Sequence, residues 1–210
     1  MKRKLIALLT FCSNAFASIF GLSACNEIFN KPIKDTAGII YDISNDGTYA
    51  EVIGYEGTAK KIRIADTYNN LPVKSIYDIA FKNSKITSVI IPDSVTYIGD
   101  SAFEYCSSLT SVTIPDSVTY IGDYAFRYCS SLTSITIGDS VTYIGDYAFS
   151  DCYSLTSVTI PDSVTYIGDY AFSGCSSLET IYCRAESKPS GWNSNWKADC
   201  SAQVVWGYKG

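Results

Sequence analysis

The sequence predicts a mainly β solenoid with short helical or irregular segments, built from 23-residue coils and covered by a cap at each end. Three observations carry this. One unit occurs four times in tandem: ITSVIIPDSVTYIGDSAFEYCSS from Ile86, LTSVTIPDSVTYIGDYAFRYCSS from Leu109, LTSITIGDSVTYIGDYAFSDCYS from Leu132 and LTSVTIPDSVTYIGDYAFSGCSS from Leu155. Inside each unit the spacing of Leu109-x-x-Val112-x-Ile114 ends in the alternation of a short strand. Turn residues then recur at fixed places, Pro115-Asp116-Ser117 and Gly122-Asp123 in the second copy, marking two corners. A period of about 20 to 29 residues is one coil, too small to bury its own apolar face and stable only when stacked on neighbours.

Taken in order, residues 1–25 begin with Lys2, Arg3 and Lys4 and run into an apolar stretch softened by Ser13 and Asn14, an export-signal pattern rather than a membrane span. Two cleavage readings compete. Ala15-Phe16-Ala17 offers a small-x-small site before Ser18, which would release a secreted chain, whereas Leu22-Ser23-Ala24-Cys25 resembles the bacterial lipobox. That resemblance implies that Cys25 is lipidated and becomes the new N-terminus. The lipobox is favoured because the apolar region from Leu5 to Leu22 leads directly into it. Residues 26–38 would be a tether and 39–70 an N-terminal β cap with short strand candidates at 39–43, 48–55 and 60–64.

The solenoid is expected over 71–181, because Val73, Ile76, Asp78, Ala80 and Phe81 match Val95, Ile98, Asp100, Ala102 and Phe103 and so form a degenerate first coil. Residues 182–210 depart from the repeat and read as a C-terminal cap, with Trp192, Trp196 and Trp206 supplying aromatic bulk. Exposed indoles there would offer an alternative, a sugar-stacking platform. Cys183 and Cys200 both fall in this region, and an exported chain meets oxidising conditions, so a disulfide between them is expected, the alternatives being two unpaired thiols or Cys183 joining the internal thiol column.

The phrase SVTIPDSVTYIGDYAF followed by Cys-Ser-Ser-Leu resembles the BspA-type leucine-rich repeat family of bacterial surface proteins over about residues 71–181. The resemblance implies an exported, right-handed solenoid, often tied to attachment or host interaction, and implies no reaction or cofactor.

Composition narrows the chemistry. The formal charge is −5, and once Lys2, Arg3 and Lys4 leave with the export signal no basic run remains, so nucleic acid and bare anionic membrane are poor partners, and membrane contact would come only through a lipid anchor. Histidine is absent, which removes Ser-His and Cys-His nucleophile pairs and the usual zinc sites. The Asp columns of the coils recur in register, unlike a catalytic pair in two contrasting environments, so no catalytic residues are assigned.

Surface columns therefore carry the search. Tyr97, Tyr120, Tyr143 and Tyr166 form one column and Tyr124, Tyr147 and Tyr170 a second. Tyrosine suits binding, although self-stacking explains the same pattern. Ser111-x-Thr113, Ser134-x-Thr136 and Ser157-x-Thr159 alternate with buried residues and so lie on the open strand face. Cys106, Cys129, Cys152 and Cys175 read as a buried thiol column, and the Asp columns at 93, 116, 139, 162 and at 100, 123, 146, 169 as turn hydrogen bonding rather than calcium. Variation among copies gathers just past the Phe: Glu104-Tyr105, Arg127-Tyr128, Ser150-Asp151 and Ser173-Gly174.

The resulting expectation is a non-enzymatic protein of the cell surface or outer envelope, with no cofactor and no metal. It would recognise a host or matrix protein, or a glycan, through repeated Ser/Thr and Tyr ladders. A structural spacer or envelope scaffold is the alternative.

Overall fold

Each coil places two short β segments on different sides of one apolar core, and parallel stacking turns these into two sheets. The structure is a computed structural model that describes residues 36–210. The export signal, both cleavage sites, Cys25 and most of the 26–38 tether lie outside the described residues.

The first sheet contains β1 (Ile39–Ile43), β2 (Ala50–Tyr55), β4 (Thr67–Tyr68), β5 (Leu71–Ile76), β7 (Tyr97–Ile98), β9 (Tyr120–Ile121), β11 (Tyr143–Ile144) and β13 (Tyr166–Ile167). Its order is β1-β2-β5-β7-β9-β11-β13, with β4 pairing β5 from the side. The second contains β3 (Lys61–Arg63), β6 (Ser88–Ile90), β8 (Ser111–Thr113), β10 (Ser134–Thr136), β12 (Ser157–Ile160), β14 (Thr180–Cys183) and β15 (Gln203–Val205), stacked in the order β3-β6-β8-β10-β12-β14-β15. All pairings are parallel except β1 with β2 and β4 with β5. Parallel strands one coil apart are what a repeat without chain reversal must give.

Residues before the regular copies join the same stack. The β1–β2 hairpin enters through β2, which pairs in parallel with β5, and β3 pairs in parallel with β6. The chain end does likewise: β15 pairs with β14, and Trp192 bridges Ile167.

The core is a set of columns. Phe81, Phe103, Phe126, Phe149 and Phe172 are buried and stacked with ring centroids 5.1, 5.0, 5.4 and 5.2 Å apart. Different aromatics close this column, Tyr55 tilted against Phe81 and Trp196 edge-on to Phe172, each at 5.9 Å. Val, Ile, Leu and Ala columns fill the remaining space.

The segment after each Tyr-Ile pair is not a helix; among the described residues there is none. It is a turn in which Ser101, Tyr124, Tyr147 and Tyr170 adopt φ of 54, 58, 54 and 56°. Left-handed backbone costs a non-glycine residue about 1 to 2 kcal/mol. Here it turns alternate amides toward the next coil: Tyr124, Phe126 and Tyr128 donate to the carbonyls of Asp146, Ala148 and Ser150 at 2.8, 2.7 and 3.0 Å. Those interchain-like rungs offset the strain by satisfying buried peptide groups.

Glycine is required beside this turn by contact rather than by φ. A Cβ on Gly145 would sit 2.6 Å from the Asp123 backbone nitrogen and closer still to its carboxylate. Gly145→Ala is therefore expected to destabilise the fold by about 1 to 3 kcal/mol through overpacking. Urea unfolding checks this; an unchanged midpoint would show that the coils separate freely at this corner.

Candidate binding surface

Alternation along β8, β10 and β12 buries Val112, Ile135 and Val158 and turns Ser111, Thr113, Ser134, Thr136 and Ser157 out to solvent, with Thr159 half-buried. Parallel pairing in register aligns these side chains into two rows, Ser134 opposite both Ser111 and Ser157 and Thr136 opposite Thr113. None of the six hydroxyls is hydrogen-bonded to another described residue. The neighbouring Thr110 and Thr133 are committed, donating to the carbonyls of Thr87 and Thr110 at 3.1 and 3.0 Å. A flat face of free donors and acceptors results.

Tyr97, Tyr120, Tyr143 and Tyr166 are half-buried on the other sheet, their rings stacked at 4.8, 4.6 and 4.6 Å. Stacking uses the faces of the inner rings and leaves their edges for a partner, while the Tyr120 and Tyr143 hydroxyls engage each other. Burial pushes the Tyr97 and Tyr120 phenols up to about 12 and Tyr143 higher, with nearby carboxylates and phenols adding to the shift. The Ser/Thr and Tyr ladders thus occupy different sheets, and the fold does not unite them in one flat contact.

The inner Asp column serves the backbone. Asp78, Asp100, Asp123 and Asp146 accept the amide of the next Asp in the column at 2.9, 2.9, 2.8 and 2.7 Å. Burial holds the Asp123 carboxyl above its usual range; the Asp146 amide opposes that, and the Asp100 and Asp146 charges add to it. In the outer column Asp116 accepts the Asp139 amide at 3.0 Å and Arg184 pairs with Asp139 at 2.6 Å. Among the described residues no three His, Cys, Asp or Glu side chains converge as metal ligands.

The thiols of Cys106, Cys129, Cys152 and Cys175 are buried and donate to the carbonyls of Phe81, Phe103, Phe126 and Phe149 at 3.0 to 3.3 Å. Burial pushes Cys106 and Cys175 up to about 12, and Cys129 and Cys152 well above the ordinary range, which keeps these groups from acting as thiolates. Cys183 and Cys200 are buried and unbonded. Cys183 lies in register with Ile160, whereas Cys200 sits close enough to Cys175 to raise its thiol electrostatically.

The expectation for the C-terminal indoles needs correction. Trp192 and Trp196 are 2 % and 4 % exposed, and Trp206 packs against the same core. The Trp192 indole donates to the Val164 carbonyl at 3.0 Å, and Trp196 covers the Phe column. These indoles replace the missing next coil, so they form no exposed sugar platform.

Sequence reasoning noticed variation past each Phe without seeing what it builds. Arg127 lies 5.5, 4.7 and 5.4 Å from the ring centroids of Tyr124, Tyr128 and Tyr147 and 3.7 Å from Asp151. Tyr105 stacks on Tyr128 at 4.8 Å, and Tyr153 meets Tyr128 edge-on. The concentration of copy-specific residues was the available signal; the left-handed turns that gather them were not legible.

Known proteins bear on this surface. The model of the BspA type leucine rich repeat region matches six copies over residues 74–194. A leucine-rich repeat protein of T. pallidum is 32 % identical, with 71 % of each chain covered and a TM-score of 0.69. A leucine rich cell surface protein of Faecalibacterium prausnitzii is 33 % identical with a TM-score of 0.66, covering 84 % of this chain and 55 % of its own. A leucine-rich repeat protein of Bacteroides ovatus is 35 % identical with a TM-score of 0.66, covering 75 % of this chain and 42 % of its own. The chain thus spans about half the length of the last two. No curated protein is significantly similar. With the repeat model matched over more than half its length, the chain belongs to the BspA-type leucine-rich repeat family.

Proposed function

We propose that this chain is a non-enzymatic binding module displayed at the bacterial surface, which holds a host or matrix protein on the hydroxyl face of its seven-stranded sheet. The observation that carries this reading is the uncommitted state of the Ser111, Thr113, Ser134, Thr136 and Ser157 hydroxyls, while neighbouring threonines are spent on the backbone. Identical rows repeated every coil suit a partner met by several shallow contacts, whose affinities add through avidity. Display at the surface is supported by the printed name of the Faecalibacterium relative, and lipid anchorage at Cys25 by the lipobox-like Leu22-Ser23-Ala24 before it.

In an array of matrix proteins and mucins, saturable binding is expected. It should fall by about tenfold or more when Ser111, Ser134 and Ser157 are all changed to Arg. Far-UV circular dichroism should stay unchanged, since all three side chains point to water. Binding lost only when Tyr97, Tyr120, Tyr143 and Tyr166 are changed to Ala would move the site to the other sheet. No binding by a folded protein would leave the spacer reading, which the self-stacked tyrosines and backbone-bound aspartates favour.

A further inference from the structure

We infer that the tyrosine ladder ends, on the side of the first coil, in a slot that takes one pyranose ring of a glycan. Tyr97 is in register with Ser75, not with another tyrosine, and Ser75 is in register with Glu51. One ring is therefore missing from a column in which every other gap is filled. Two strand spacings, about 9.6 Å, separate the Tyr97 and Glu51 positions, and one ring thickness fits between their side chains. A cavity of about 460 Å³ opens there, lined by Tyr97, Ser75, Glu51, Lys74, Tyr49 and Tyr77 among others.

The wall chemistry selects the occupant. Tyr97 offers a ring face that its partner Tyr120 covers only from the other side. Glu51, whose carboxylate is hydrogen-bonded by Tyr49, and the buried Ser75 line the same cavity, and the Lys74 ammonium is held 5.9 Å from the Tyr49 ring centroid. An aromatic side chain wedged in the slot would turn its negative π-face toward Glu51. A pyranose presents polarised C–H groups to Tyr97, donates hydroxyls to Glu51 and accepts from Lys74. Burial raises the Glu51 carboxyl, with Asp42 and Asp78 adding to the shift and a hydrogen bond from Tyr49 opposing it. A second cavity of about 580 Å³ shares Tyr49, Glu51 and Tyr77, which gives a second sugar unit room. This site is independent of the hydroxyl face assigned above, and each can fail without the other.

The test uses saturation-transfer NMR and calorimetry with methyl glucoside, galactoside, mannoside and N-acetylglucosaminide and their disaccharides, beside N-acetyltyrosinamide. Wild type is expected to bind at least one pyranoside saturably. Ser75→Tyr fills the slot and should abolish binding at some cost in melting temperature, because its ring faces Glu51, while circular dichroism shows the fold retained. Glu51→Gln keeps the shape and should weaken binding by about tenfold through loss of a charged acceptor. The proposal is overturned if no pyranoside binds, if binding survives both substitutions, or if N-acetyltyrosinamide alone occupies the slot.

Discussion

Raising the pH from 9 toward 12 is expected to unfold the protein cooperatively. In an unfolded chain a thiol ionises near its ordinary value of 9.0, whereas burial pushes Cys106 and Cys175 up to about 12 and Cys129 and Cys152 well above the ordinary range. A folded-state value raised above the unfolded one means that the native form keeps protons the unfolded form has lost. The associated stability is fully present below pH 9 and drains away as pH climbs through that window. Each thiol removes about 1.4 kcal/mol per pH unit there, so four columnar thiols outrun a typical stability of about 5 to 15 kcal/mol. Circular dichroism against pH, with thiolate absorbance followed in parallel, checks the result: ionisation should coincide with loss of structure. Thiolate appearing near pH 9 in a folded protein would overturn the buried-column account. The Tyr97 and Tyr120 phenols should likewise titrate late, in the same transition.

Changing Phe126 to Ala is expected to cost about 3 to 5 kcal/mol, the range for emptying a well-packed aromatic site. Phe126 is fully buried and stacks on Phe103 and Phe149, so its loss cuts the column in the middle. Because coils touch only their neighbours, a weak central interface also divides one cooperative unit into two. All tryptophans lie at the C-terminal end, so indole fluorescence reports that half and circular dichroism the whole. Their urea transitions should coincide in the parent and separate in the variant. Coincident transitions with a loss under about 1 kcal/mol would show that the core repacks around the gap.

Particular residues show how far the sequence reaches. Leu109-x-x-Val112-x-Ile114 announced a strand whose alternate residues face inward, and β8 has that burial pattern. The Ser/Thr face followed from the same alternation. By contrast, Tyr124 at φ 58° carries no local signal, since tyrosine has no preference for left-handed backbone. Its conformation is imposed by the Asp146 carbonyl of the next coil. The fate of Trp192 and Trp196 was equally illegible: exposed platform or core lid depends on whether another coil follows, and here these indoles take its place.

By itself, then, the chain's sequence determined the coil length, the inward columns and the parallel stack, because a 23-residue period repeats one burial pattern and every copy must meet its like. Tertiary structure alone decided which side chains remain free. Asp123 is committed to the Asp146 amide and the inner tyrosine faces to one another, while Ser134 is left to solvent. The physical reason is that a side chain's partners in a solenoid sit one coil away, 23 residues along the sequence, where no local propensity can specify them.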